Sequence, residues 1–282
     1  MEVHLCQACG PSELPDMRWA WVLLFLGCVP PEGVRTTFPP EPLGAFEVPG
    51  GFSGRGAIAA GEFGEVYIVD TDRNRLVRLD PEGRLLSEAG GFGEEPGRFR
   101  GPSDVEVWGL EVLVADEENM RIQRFDRSLN FLGSYDTGGR RPLALAVSDD
   151  GVFFVEGGKG KVWQVTRESV LPFGTGSLGG PVDISAWEGR VWISDAGRDG
   201  VVVMDVSGVR LDSWKLEGPL GMGARDGICW VADGRKVWAL HYETGPLGSL
   251  GGPLEDPIDV AVGRGEVYVL EKTGKVWVFG GR

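Results

Sequence analysis

The sequence predicts an all-β protein: one six-bladed β-propeller with four-stranded blades, its ring closed by an N-terminal strand. Three observations carry that expectation. The 282 residues include 46 Gly and 18 Pro, and this much Gly without a collagen period signals many turns between short strands. After residue 30 no stretch keeps the i, i+3, i+4, i+7 apolar spacing of an amphipathic helix. Most tellingly, an acid closes an apolar strand six times at near-constant intervals, at Asp70, Asp116, Glu156, Asp195, Asp233 and Glu271.

Residues 1–28 read as an address. Met17-Arg18 precedes an apolar run from Trp19 to Gly27, the pattern of a secretory signal and too short to span a bilayer as a helix. The run ends in Leu24-Phe25-Leu26-Gly27-Cys28, which resembles a bacterial lipobox. That resemblance implies lipidation of Cys28, although Phe25 and Leu26 are bulkier than its usual pattern. Residues 1–16 read as a mis-assigned start upstream of Met17, which would leave Cys6-x-x-Cys9 without a role. A redox or metal CxxC and an uncleaved anchor are the alternatives, and no second Cys pair or His cluster accompanies it.

Residues 29–43, with Pro30, Pro31, Pro39, Pro40 and Pro42, form a Pro-rich tether that cannot pack into a core. Together these segments predict an extracytoplasmic monomer, in the periplasm or on the outer cell surface, held to the membrane by its lipid anchor only. Cys229 then remains alone, in the apolar Ile228-Cys229-Trp230-Val231, and reads as a small buried hydrophobe. Packing, not disulfides, must hold the domain.

The propeller is expected over residues 44–282. The six acids are spaced by 46, 40, 39, 38 and 38 residues, the period of one blade. Five of the six units start with a strand led by Pro (Pro102, Pro142, Pro181, Pro219, Pro257), and the units turn at Gly. A second strand ends in the acid, a third such as Arg121–Asp126 follows, and a looser fourth ends in Gly-Gly. Apolar residues alternate through these runs, as a sheet requires. The last unit stops after three strands, and Phe46–Phe52 parallels Leu86–Phe92 of the first unit. The N-terminal strand is therefore expected to complete the last blade and remove the open edges.

Val112-Leu113-Val114-Ala115-Asp116 through Asn119, Arg121 and Asp126 closely resembles an NHL repeat, and Tyr67–Asp70 through Asn74–Asp80 is a second match. Blades three, five and six lack the Asn and place Lys-Val-Trp, from Lys161, Lys236 and Lys275, in the third strand. The resemblance implies a binding platform in most relatives and a lyase or lactonase in some, so it does not settle function.

The chemistry-bearing residues fall at one end of the blades. Asp104, Asp183 and Asp259 open the first strands of alternate blades, where the others have Ala144, Gly221 and Ala57. Each lies twelve positions before its partner acid, Asp116, Asp195 or Glu271, which places the two nearly opposite across the hairpin, an arrangement that needs compensation. One reading is that each Asp caps its own turn. The other is a carboxylate ring near the channel mouth holding Ca²⁺, which takes oxygen ligands. That would resemble the metal-centred lactonase-like propellers, but those use Asn and often His.

His241 is the one His after the signal region, too few for a zinc site, and no Ser/His/Asp set or phosphate-binding Gly loop is present. Trp163, Trp238 and Trp277 share one repeat position and are expected between blades, while Trp108, Trp187 and Trp214 are freer to be exposed. The net charge of −14 excludes nucleic acid as a natural partner. With no catalytic set, the expectation is a non-enzymatic binding or scaffold module for a protein, small-molecule or glycan ligand. The alternative is a metal-dependent lactonase-like hydrolase or lyase using the carboxylates.

Overall fold

The computed structural model describes residues 39–280 except 167–168, 175–177 and 199. The signal region 1–28 with Cys28, and the tether as far as residue 38, lie outside the described residues. The first strand, β1 (Glu41–Glu47), begins ahead of the expected residue 44.

Blade 1 comprises β2 (Gly56–Ala60), β3 (Val66–Asp70), β4 (Arg75–Leu79) and β5 (Leu85–Gly90). Blade 2 comprises β6 (Pro102–Trp108), β7 (Glu111–Asp116), β8 (Arg121–Asp126) and β9 (Phe131–Asp136). Blade 3 holds β10 (Pro142–Ser148), β11 (Gly151–Glu156), β12 (Lys161–Val165) and β13 (Val170–Phe173). Blade 4 holds β14 (Pro181–Trp187), β15 (Arg190–Asp195), β16 (Gly200–Asp205) and β17 (Arg210–Lys215). Blade 5 is β18 (Met222–Arg225), β19 (Ile228–Ala232), β20 (Val237–His241) and β21 (Gly245–Ser249). Blade 6 is β22 (Pro257–Val262), β23 (Glu266–Glu271) and β24 (Lys275–Gly280), with β1 as its fourth strand.

All six sheets are antiparallel and four-stranded, in simple up-and-down order. β1 pairs with β24, setting Ala45 opposite Trp277 and Phe46 opposite Val276. The strand lies earlier than Phe46–Phe52 because Pro49 follows it and Gly50 and Gly51 then turn the chain at φ 75° and 81°. Only glycine takes that region without strain. The first strands β2, β6, β10, β14, β18 and β22 stand side by side, each against the next, and β22 returns to β2.

Period-two alternation gives every blade two apolar faces, and each face is buried against a neighbour. The core is accordingly six clusters, one per blade interface. Phe99, Phe125 and Val105 meet Tyr67 and Val69 between blades 2 and 1, and Leu145 and Phe154 meet Leu113 and Ile122 between blades 3 and 2. The interface of blades 6 and 1 is as complete as the others: Ala261, Tyr268, Leu270 and Val276 pack against Ile58, Ile68, Val77 and Leu79. Cys229 is a free, fully buried thiol in the cluster between blades 4 and 5. Trp163, Trp238 and Trp277 pack, partly buried, against three of these clusters.

A chain truncated before Gly50 should fold less stably, because β24 would then present an unpaired edge. We expect its thermal midpoint to fall by about 6–12 °C, as a loss of roughly 3 kcal/mol produces in a domain of this size. Calorimetry and size-exclusion chromatography of the two chains check this, with association of the truncated form as the second readout.

Candidate active site in the central channel

A proline and a bulge set the position of the channel carboxylates. β6, β14 and β22 start at Pro102, Pro181 and Pro257, where a residue without an N–H costs no ladder bond. The register then slips by a residue, so that Pro102 faces Asp116 while Asp104 faces Ala115. Asp183 likewise faces Ser194 and Asp259 faces Leu270. The expected juxtaposition of Asp104, Asp183 and Asp259 with Asp116, Asp195 and Glu271 is therefore not what forms. The bulge turns the first set into the channel and leaves the second set inside the blades.

Each channel Asp joins two blades. The Val105 N–H donates to one oxygen of Asp104 at 2.7 Å, and the Leu145 N–H of blade 3 donates to the other at 2.6 Å. Asp183 accepts from Ile184 at 2.8 Å and from Met222 of blade 5 at 2.6 Å. Asp259 accepts from Val260 and from Ile58 of blade 1, both at 2.8 Å. The inner edge of a propeller blade has no sheet partner, and here side chains supply one. Burial pushes the Asp104 carboxyl up to about 7 against its two backbone bonds. Burial first, and then the other channel carboxylates, holds Asp183 and Asp259 well above the ordinary range.

The second set of acids has a structural duty. Asp116 is fully buried and accepts bonds from the Arg100 N–H, Asn119, Arg121 and Gln123 at 2.8–3.0 Å. Asp195 takes the Gly179 and Gly180 N–H groups at 2.7 Å, and Glu271 that of Glu255 at 2.6 Å. In blades 3 and 5 the indole N–H of Trp163 or Trp238 bonds the acid, Glu156 or Asp233, at 2.9 Å. These tryptophans take the place that Gln123 has in the NHL-like blade.

The channel holds a cavity of roughly 430 Å³. Asp104, Asp183 and Asp259 bound one end, and Trp108, Trp187, Glu62 and Arg225 line the other, with Glu106 and Ser185 between. Glu106 was not singled out in the sequence, although it lies two residues beyond Asp104 and so on the same side of β6. Burial, then the charge of Asp104, pushes its carboxyl well above the usual value. Its one hydrogen bond, from the Val107 N–H at 3.3 Å, is long, so Glu106 is the carboxyl least tied to the scaffold. At the far mouth Glu62 accepts from Arg225 at 3.2 Å and Arg264 at 2.8 Å, which holds its own pKa low.

His241 sits on β20 with its ring 4.7 Å from that of Tyr242, away from the cavity lining. Among the described residues no group of three or more His, Cys, Asp or Glu is gathered so as to hold a metal ion. The three channel aspartates, each spread between two backbone donors, do not fit the calcium site of the lactonase-like expectation. Trp214 stacks on Trp192 at 5.9 Å, whereas Trp108 and Trp187 reach the channel mouth.

Residues 99–125 match the family model of the NHL repeat. The protein is a six-bladed β-propeller that carries an NHL repeat in its second blade. No curated protein is similar to it in sequence. Among solved structures, the propeller is similar to a catalytically inactive histidine-to-alanine variant of virginiamycin B lyase from Staphylococcus aureus with quinupristin. The identity is 13%, the TM-score 0.62, and the match covers 84% of this chain and 98% of that one. A luciferin-regenerating enzyme matches at 13% identity and TM-score 0.64, over 84% and 95% of the two chains. A gluconolactonase from Xanthomonas campestris matches at 11% and 0.62, over 88% and 97%.

At such identities the likeness is one of fold. It nonetheless corrects the expectation of a non-enzymatic scaffold, because the matched propellers include enzymes, a lyase and a gluconolactonase among them. A carboxyl-lined cavity carries none of the His, Ser or metal-ligand signatures that a sequence pattern displays.

Two outcomes separate the two sets of acids. Asp116→Ala should cost about 3–5 kcal/mol in chemical denaturation, the penalty of stranding the buried groups of a charged network. For Asp104 the folded pKa lies above the ordinary value of 3.8, so the folded state binds the extra proton. Its contribution is fully present below the unfolded pKa and is lost as pH rises through about 7. Melting curves from pH 4 to 8 should show that fall, and Asp104→Asn should flatten it.

Proposed function

We propose that the protein opens cyclic esters by carboxyl acid–base catalysis inside its channel. The observation that carries this is the set of buried and half-buried carboxyl groups lining one cavity, with Glu106 the least restrained of them. A carboxyl with a pKa raised toward neutrality can exchange protons at working pH, which is what acid–base catalysis requires. Asp104, held at both oxygens, is the base, and Glu106 is the acid.

In this reading Asp104 accepts a proton from a water that attacks the ester carbonyl. The new C–O bond forms, the ring C–O bond breaks, and Glu106 gives its proton to the departing oxygen. One water is consumed, one hydroxy acid leaves, and proton exchange with solvent restores both groups. Alternation along the free inner edges aims the N–H groups of Val147 and Ala186 at the cavity that they line. Such donors stabilise the developing oxyanion without reorganising. The Met17–Cys28 segment supports placing this reaction in the cell envelope, with Cys28 as the lipid-bearing residue.

The test is a pH-stat panel of γ- and δ-lactones and linear esters with the full chain. Ring opening above the buffer rate is expected, with an acidic limb near pH 7 set by Asp104. Glu106→Gln should lower kcat by roughly 10²–10⁴-fold with its melting temperature retained. No turnover across the panel, or an undiminished Glu106→Gln variant, would overturn the assignment.

A further inference from the structure

The cavity mouth continues sideways into a crevice of about 240 Å³. Its walls are Trp108 at the end of β6 and Trp187 at the end of β14, and its floor is the blade 3 hairpin at Ser148, Asp149 and Asp150. Glu188 completes the rim. The crevice and the main cavity share Trp108, Ala186 and Trp187 and so lie side by side.

Trp187 is held for this position. The Arg225 guanidinium from blade 5 lies 4.8 Å from its ring centroid, and Glu62 fixes Arg225 in turn at 3.2 Å. Its indole Nε1 is buried without a hydrogen-bond partner among the described residues. Trp108 is 39% exposed, a high value for the largest apolar side chain. Asp149, Asp150 and Glu188 are exposed on the rim. Among the described residues Arg225 is the cation of the cavity lining, and its charge is turned to Glu62, which also pairs with Arg264.

We propose that this crevice is a subsite for a flat ring bearing a positive charge, the group by which a substrate is held while its ester lies in the channel. Indole faces attract cations through their quadrupole, and the carboxylates of Asp149 and Asp150 set the sign of the ligand. An anionic ring is repelled by the same groups. The assignment of the substrate class rests on the ester-opening reading above, but the binding step is tested apart from it.

The probes are trimethylphenylammonium, benzoate and tetramethylammonium, with dissociation constants measured by ligand-observed NMR on the full chain. The aromatic cation should bind about tenfold or more tightly than benzoate, a difference of roughly 1.4 kcal/mol. It should also bind more tightly than tetramethylammonium, which lacks the ring. Trp108→Ala should lose that preference, Trp108→Phe should keep it, and Asp149→Asn with Asp150→Asn should bring the cation and anion toward equal affinity. Equal binding of benzoate by the wild type, or an unchanged affinity in Trp108→Ala, would overturn the subsite. Glu106→Gln should bind the cation as the wild type does. Binding of the cation without turnover of any ester would therefore sink the chemistry and leave the subsite standing.

Discussion

The inner strand of every blade has one edge with no sheet partner, and the layout of the channel follows from how those edges are satisfied. A buried N–H left unpaired costs as much as a lost hydrogen bond. Asp104, Asp183 and Asp259 answer this by reaching from blades 2, 4 and 6 to the edges of blades 3, 5 and 1. Ser185 does the same one layer further along, accepting from the Ala224 N–H at 3.0 Å. The alternation around the ring then has a steric cause. In blade 5 it is strict, since a Cβ on Gly221 would collide with the carboxylate of Asp259, while blades 3 and 1 keep the small Ala144 and Ala57 there.

The same constraint creates the chemistry. Carboxyls brought into the channel to satisfy backbone donors lose solvent and face one another, and both effects favour the protonated form. A scaffold device is thereby tuned toward neutral pH, and Glu106, one strand step beyond the ring, shares that environment without sharing the anchoring. The acids at the ends of the second strands carry the same residue types to a different end. They lie within the blades, each among N–H, guanidinium or indole donors, and they tie down the segment that enters the first strand or the start of the third.

Repeat divergence is legible in those donors. The NHL-like blade satisfies Asp116 with Asn119, Arg121 and Gln123. Blades 3 and 5 have lost the Asn but bring an indole N–H from the Gln123 position, on Trp163 and Trp238. Those rings also fill space at the edge of the interblade core, so one substitution keeps the acid bonded and adds apolar burial. This explains why a single repeat matches its family model while all six blades keep one geometry: the acid and its strand are retained, and the donor set is free to change.

The sequence by itself determined the number of blades, their strand content and the alternation of Asp around the ring, because period-two patterning and a near-forty-residue repeat are local and additive signals. It also placed Trp163, Trp238 and Trp277 between blades, since one repeat position meets one environment. Tertiary structure alone decided that Asp104 and Asp116 part company, because a one-residue bulge after Pro102 reverses which side a side chain takes and leaves no mark in composition. It decided too that Glu106, Trp108, Trp187 and Arg225, drawn from three blades and unlike one another in sequence, share one cavity. A strand pattern reports what lies across its own sheet, whereas a channel is made where different sheets converge, and that convergence is a property of the closed ring.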